Sequence, residues 1–376
     1  MTTKVIFETA TFADAISKAD KIAPNKGAAF DKAAGIVIEI TPGAVPPIVI
    51  RATNLDVFSM AWIDAVEVTG EKTSWRLPSK LLAQVAASLP IGSGVNVTLE
   101  EVVGKNNHTQ LHLSQGRIKA RFNMMDVSYY PEWGAFDPDL CFPADDLGGR
   151  VAQVEWAAAK ADPPLSGVYF DGERVISTDR YRLATAPMKI PDLKEPITVP
   201  AGILGVILKQ TGEIKIGVDG QQLLIMPDEH TQIRTIVFGV AYPKVERIMN
   251  RDYPHSITIK KAQIIEVMSR VSNFAGADRY PVLRCFIGKE EFGMMMSNED
   301  IGLLGDVVEL PGQCQHPRFE TFFTPRNLME AITAVAGDTF QLHYDPEKPA
   351  AIFYLDGNSG YEAWVMPRRD TAAGTA

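Results

Sequence analysis

The sequence predicts an α+β protein built from three copies of one small domain, and three recurring landmarks carry that expectation. A short polar turn follows a strand at Thr53-Asn54-Leu55-Asp56, at Thr178-Asp179-Arg180-Tyr181-Arg182 and at Asn298-Glu299-Asp300. A helix announced by proline opens at Pro78-Ser79-Lys80, Pro200-Ala201-Gly202 and Pro325-Arg326-Asn327. A proline closes a hydrophobic strand at Tyr130-Pro131, Tyr242-Pro243 and Met366-Pro367. Successive turns lie 125 and 120 residues apart, helices 122 and 125, and prolines 112 and 124. Constant order at near-constant period marks an internal repeat. The expected domains are 1–135, 136–250 and 251–369, with 370–376 as a small, polar, flexible tail.

Each copy reads as helix, strands, helix, strands. In the first, Phe12, Ala15, Ile16, Ala19 and Ile22 fall on one face of a helix that Pro24 ends, with Lys18 and Lys21 off that face. Runs such as Ile36-Val37-Ile38-Glu39-Ile40 and Val95-Asn96-Val97-Thr98-Leu99 are β-branched and bounded by turn residues, as strands are. The second helix presents Leu81, Leu82, Val85 and Leu89 inward, with Pro78 at its start and Lys80 pointing away. The second copy offers Leu147, Val151, Val154, Ala158 and Ala161, then a helix with Ile203, Leu204 and Ile207. Gly202 and Gly205 give that helix poor intrinsic propensity, so packing must hold it. The third copy offers Ile264, Ile265, Met268 and Val271, then Leu328, Met329, Ile332 and Val335. Two amphipathic helices on one face of antiparallel sheet is the layer arrangement this pattern supports.

At 376 residues each of three copies is large enough for its own core. Hydrophobic content of 46% and charged content of 22% are those of a soluble globular protein, and no apolar run is long enough for a membrane span or signal peptide. A cytoplasmic location is expected. Cys141, Cys285 and Cys314 are too scattered for a disulfide framework or zinc site. Net charge is −9, which taken alone argues against a nucleic-acid partner. The helices run the other way. Over windows 11–23, 79–89, 148–161, 199–210, 260–274 and 324–335 the bases are Lys18, Lys21, Lys80, Arg150, Lys160, Lys209, Lys260, Lys261, Arg270 and Arg326, while the acids are Asp14, Asp20, Glu155, Glu266 and Glu330. Six such helices on one side of a continuous sheet would make a basic surface on an acidic protein.

No catalytic constellation emerges. Gly104-Lys105 and Gly288-Lys289 lack the upstream glycine and following Ser or Thr of a phosphate loop, and Gly92-Ser93-Gly94 lacks the flanks of a nucleophile elbow. His108 and His112 sit four apart in an Asn-rich hairpin, and Asp137, Asp139, Asp145 and Asp146 fall in a proline-bearing linker; neither group reads as a metal site. No cofactor or metal is expected, and the protein is not expected to be an enzyme. A shell or other structural oligomer of repeated α+β domains is the rival class, but it has no need of ten helical bases in an acidic chain.

The segments Pro164-Leu165-Ser166-Gly167-Val168-Tyr169-Phe170, Ser177-Thr178-Asp179-Arg180-Tyr181-Arg182-Leu183-Ala184 and Val365-Met366-Pro367-Arg368-Arg369 resemble the β sliding clamp family, the processivity factors of bacterial replicative DNA polymerase. The resemblance runs over essentially the whole chain. It implies the DNA clamp fold, with two chains head to tail in a six-domain ring around double-stranded DNA, held topologically and without sequence readout. The ten helical bases would face the DNA. Partners implied are a second copy, a replicative polymerase, a clamp loader and repair proteins. These would dock short hydrophobic peptides in a pocket of Leu165, Thr178, Tyr181, Arg182, Leu183, Pro243, Arg247, Ile248, Trp364, Val365, Met366, Pro367 and Arg368. Phe122 and Met124 would meet the region of Phe274 across the ring joint. The sequence departs from the family where Arg180-Tyr181 replaces Gly-His, at Arg368 where an apolar residue is common, and in the seven residues after Arg369.

Overall fold

The computed structural model describes residues 2–24, 32–103, 109–190, 193–207, 214–249, 252–275, 281–298, 302–313, 318–347, 353–357 and 359–368. In chain order, the first stretch holds β1 (Lys4–Glu8), α1 (Thr9–Asp20), β2 (Ile36–Ile40), β3 (Ile48–Thr53), β4 (Val57–Ile63), β5 (Glu67–Thr69), β6 (Thr73–Leu77), α2 (Ser79–Ser88), β7 (Asn96–Val103), β8 (Thr109–Gln115) and β9 (Ile118–Asn123). Then come β10 (Phe142–Pro143), α3 (Leu147–Val154), β11 (Gly167–Phe170), β12 (Arg174–Thr178), β13 (Arg182–Pro187), β14 (Ile197–Pro200), α4 (Ala201–Ile207), β15 (Lys215–Asp219), β16 (Gln222–Asp228), β17 (Thr231–Ile236) and α5 (Glu246–Met249). The last stretch holds β18 (His255–Lys260), α6 (Lys261–Ser272), β19 (Leu283–Ile287), β20 (Glu291–Asn298), β21 (Gly302–Glu309), β22 (Phe319–Phe323), α7 (Pro325–Thr333), β23 (Thr339–Tyr344), β24 (Phe353–Gly357) and β25 (Glu362–Val365). This is the expected α+β class, with every named strand pair antiparallel.

The chain forms two compact units, one of residues 1–145 with 212–237, the other of 146–211 with 238–376. The first contains a five-stranded sheet, β5-β1-β7-β8-β9, and an eight-stranded one, β10-β15-β16-β17-β4-β3-β2-β6. Its core joins Phe7, Phe12, Ile16, Trp75 and Leu82, all fully buried, and at roughly 2 kcal/mol per large apolar side chain this burial is the main force holding α1 and α2 to strand faces. The second unit contains an eight-stranded sheet, β14-β11-β12-β13-β25-β24-β23-β18, and a four-stranded one, β21-β20-β19-β22. Phe170, Phe292, Phe323, Phe340 and Phe353 dominate its core.

Both eight-stranded sheets are joined by the same kind of strand pair. In one, β17 runs antiparallel to β4, with Val57 opposite Thr235 and Ala61 opposite Thr231. In the other, β25 runs antiparallel to β13, with Arg182 opposite Val365 and Thr185 opposite Glu362. In each case the third strand of one hairpin set pairs with the third strand of another, so these sheets cross two of the expected boundaries. The connector after β9 then passes directly over β15: a Cβ on Gly217 would stand 2.0 Å from the Leu140 carbonyl oxygen, an approach that only glycine permits.

Two details differ from the periodicity. Leu81 is 50% exposed, because the buried face of α2 is Ser79, Leu82 and Ala86, and Leu81 stands one residue off it. The helix expected to reach Ala161 ends at Val154 and tightens into a 3-10 turn at Glu155–Ala157, after which Ala158 is extended.

Candidate functional site

The turn between β12 and β13 is built by two side chains. The Thr178 hydroxyl donates to the Arg182 carbonyl at 2.6 Å and accepts from the Arg180 N–H at 3.2 Å. Asp179 Oδ1 accepts from the backbone N–H groups of Tyr181 and Arg182, both at 3.0 Å, and its Oδ2 accepts from Arg182 Nε at 3.0 Å. These bonds hold Arg180 at φ 78°, a left-handed conformation unfavourable for a residue with a Cβ. The result is that Tyr181 is thrown outward, 68% exposed, while Arg182 turns inward.

The inward turn changes the role expected for Arg182. Its guanidinium lies 5.2 Å from the centre of the Trp156 ring and forms a short ion pair with Glu330 on α7. At 9% exposure and with Asp179 on its other side, Arg182 fixes the turn to the helices; it is not available to meet an incoming peptide.

Register places a row of side chains across the opposite face of the same sheet: His343, Tyr354, Trp364, Leu183 and Thr178 stand on successive strands. Tyr354 stacks on Trp364 with centroids 4.8 Å apart, and His343 on Tyr354 at 4.9 Å. Burial holds the His343 pKa below its ordinary value despite Asp356 and Glu362. Burial also pushes the Tyr354 hydroxyl up, and its hydrogen bond with Glu362 adds to the shift. Residues after β17 lie over this row. Tyr242 stacks on Tyr169 at 4.7 Å and 6°, Val245 is buried with Ile176, Leu183 and Trp364, and Ile248, Met249, Tyr253 and Met366 pack around them half-buried. The Met366 N–H donates to the Tyr181 carbonyl at 2.8 Å, and Arg368 is tied to the Phe322 and Pro281 carbonyls.

The thirteen pocket residues therefore divide. Tyr181, Pro243 and Arg247 are exposed and Ile248, Met366, Pro367 and Arg368 half-buried, so solvent reaches these seven. Leu183 and Trp364 are fully buried beneath Val245, with Thr178 building the turn beside them. Val365 is fully buried and faces the other way, opposite Arg182, while Leu165 is 4% exposed in the loop before β11. Sequence reasoning missed Tyr169, Ile176, Tyr242, Val245, Met249, Tyr253, Tyr354 and His343. The one signal for part of this set was the Tyr-Pro pair, whose tyrosine rather than proline carries the packing.

The helical bases are less free than their sequence suggests. Lys18 sits between Asp14 at 2.9 Å and Asp228 at 3.2 Å. Burial alone would lower its pKa, but the two carboxylates outweigh that and hold it above the ordinary value. Arg150 pairs with Asp146, Arg270 with Glu266 and Asp306, and Arg326 with Glu330. Lys261 donates to the carbonyls of Thr333 and Val335, where the C-terminal end of α7 favours a cation. Among the described residues Lys21, Lys80, Lys160 and Lys260 are exposed and form no salt bridge; Lys209 lies outside the described residues. At the expected joint, Phe122 is 2% exposed, buried in its own core, while Met124 and Phe274 are half-buried.

Solved structures share this fold over nearly the whole chain. The β subunit of DNA polymerase III from Thermotoga maritima superposes with a TM-score of 0.84 at 20% identity, covering 98% of this chain and 100% of that one. The DNA polymerase sliding clamp of Bacillus subtilis gives 0.82 at 16%, again over 98% and 100%. The chain has the DNA sliding clamp fold. The Helicobacter pylori β clamp, solved with a DNA ligase peptide bound, gives 0.79 at 18% over 98% and 100%. No protein-family model and no curated protein matches the sequence. At these identities the clamp fold is shared while most side chains are not, so the chain's own residues must carry any reading of what it does.

Proposed function

We propose that the protein is a divergent β sliding clamp: two chains closed head to tail into a ring that encircles duplex DNA and tethers a polymerase. The observation that carries this is the full-length clamp fold together with the strand edges it leaves unpaired. Within the chain, β4 is taken by β17 and β13 by β25. The equivalent third strands left over are β21 and β9, and among the described residues each is an edge strand of its sheet. An edge strand is a template for pairing, and β21 exposes Leu303 and Val307 while β9 exposes Ile118. Pairing β9 of one chain with β21 of the next is a heterologous contact, which must close into a ring or run on as a filament. Two chains with three domains each, 1–135, 136–250 and 251–369, close six.

In this reading the clamp has no catalytic activity of its own and works in the cytoplasm. Lys21, Lys80, Lys160 and Lys260 are the bases free to meet phosphates, and retention is topological. Polymerase, loader and repair proteins dock through the groove over Leu183 and Trp364. Mass in solution with negative-stain imaging tests the ring: a dimer with a central hole is expected, and a monomer at micromolar concentration, or a dimer without a hole, overturns it. Met366→Ala with Pro367→Ala is expected to abolish polymerase stimulation and leave the dimer intact; persisting stimulation would remove the groove assignment.

A further inference from the structure

The turn between β3 and β4 repeats the side-chain-to-backbone bonds of the β12–β13 turn. Thr53 Oγ1 donates to the Val57 carbonyl at 2.6 Å and accepts from the Leu55 N–H at 3.0 Å, while Asn54 Oδ1 accepts from the N–H groups of Asp56 and Val57. Leu55 has φ 79°, the value of Arg180 within a degree. The segments that follow correspond too: Tyr130-Pro131-Glu132-Trp133-Gly134-Ala135-Phe136 matches Tyr242-Pro243-Lys244-Val245-Glu246-Arg247-Ile248 in spacing. The Tyr130 hydroxyl reaches the carbonyl oxygens of Gly35 and Arg51, at 3.4 and 3.5 Å. By this correspondence Phe58 stands where Leu183 stands, Arg51 where Ile176 does, and Arg234 where Trp364 does.

At this first copy of the face, residues 133–136 are held as a bound peptide is held. Arg51 donates to the Trp133 carbonyl and Arg234 to the Gly134 carbonyl, each at 2.6 Å. The Gln232 side-chain amide pairs with both the N–H and the carbonyl of Phe136, each at 2.9 Å. The Trp133 ring packs edge-on against Phe58 at 5.1 Å with the Arg51 guanidinium 5.4 Å from its centre, and Arg234 lies over Phe136. Side chains of the sheet thus read backbone and rings alike, and none of these contacts is a strand ladder. Beside the segment runs an open cavity of about 540 Å³ bordered by Glu39, Arg51, Glu132, Trp133 and Gly134.

We propose that this face is a second peptide-binding groove, closed by the chain's own Trp133–Phe136, and that it accepts external peptides with two aromatic side chains three residues apart when that segment is displaced. Two arginines in place of Ile176 and Trp364 give it a chemistry different from the groove over Leu183: carbonyls and aromatic faces are gripped by guanidinium groups rather than by apolar walls. It differs from the peptide site of the proposed function in position and residues and does not depend on it.

The test uses the full chain and a fluorescein-labelled peptide of the sequence Glu-Trp-Gly-Ala-Phe-Asp, followed by anisotropy. Trp133→Ala with Phe136→Ala is expected to bind it about tenfold more tightly than the wild type, or better. Adding Gln232→Ala and Arg234→Ala is expected to abolish the gain. Equal binding by wild type and a cooperatively melting variant overturns the proposal. If the double variant does not fold, Trp133→Leu, which keeps an apolar contact on Phe58, takes its place in the same titration with the same outcomes. The Met366→Ala, Pro367→Ala background separates the two grooves: gained binding that survives there belongs to this face, and gained binding lost there belongs to the other one and overturns the proposal.

Discussion

A threonine hydroxyl in one turn of each eight-stranded sheet, Thr53 between β3 and β4 or Thr178 between β12 and β13, satisfies one carbonyl and one N–H that the turn would otherwise leave unpaired. Valine has the same shape without the hydroxyl, so Thr53→Val and Thr178→Val should each cost about 1–2 kcal/mol in urea melts. Only Thr178→Val is expected to weaken peptide docking at the groove over Leu183; equal loss in both variants would mean that the effect is one of general stability. Arg180 is a second case. Its φ of 78° suits glycine, and its ion pair with Asp162 is exposed. Arg180→Gly is therefore expected to stabilise by up to about 1 kcal/mol, and a clear loss of thermal stability would give that pair an importance its exposure argues against. These turns were legible in the sequence because Thr-Asn and Thr-Asp bond to their own neighbours. The direction of Arg182 was not, since Glu330 and Trp156 reach it only through the fold.

The six expected helices all form, because an apolar stripe at helical spacing needs only a sheet to cover it; the additional helix, α5, is a single turn too short for periodicity to reveal. What periodicity could not show is how their charges are spent. Lys18 on α1 reaches Asp228 at the β16–β17 turn, 210 residues away, so no local pattern announces the pair. The contact ties α1 to that turn, and its pH dependence has a definite sign. Burial opposes ionisation of Asp228, but Thr231, His230 and Lys18 outweigh it and hold its pKa below 3.8, so its contribution is present above that value and fades as pH falls through the folded pKa. The Lys18 pKa is raised above 10.5, so its contribution is full below that value and fades as pH rises through the folded pKa. Lys18→Met should cost about 0.2–1 kcal/mol, evenly between about pH 5 and pH 9, with the cost shrinking below about pH 4. Chemical melts of both proteins across that range check this; a cost that grew on acidification would show that Asp228 is not what Lys18 stabilises.

At the scale of the whole molecule, the proposed ring would let an acidic chain of net charge −9 hold DNA by enclosure rather than affinity. The pairing of Lys18, Arg150, Arg270 and Arg326 with carboxylates sharpens that picture, because a base already neutralised by a neighbour releases few counterions when it approaches a phosphate. The salt dependence of binding to a short linear duplex should then be set by the unpaired lysines. Lys80→Gln with Lys160→Gln is expected to make the plot of log affinity against log salt shallower, by about one for each lysine that touches phosphate, whereas Lys18→Gln should leave the slope nearly unchanged. The same plot for wild type, for Lys80→Gln with Lys160→Gln, and for Lys18→Gln decides the matter. A slope that responds to Lys18 as strongly as to Lys80 would mean that Asp14 and Asp228 let it go when DNA arrives; a slope that responds to neither would place these helices away from the duplex and remove the enclosed-DNA reading with them.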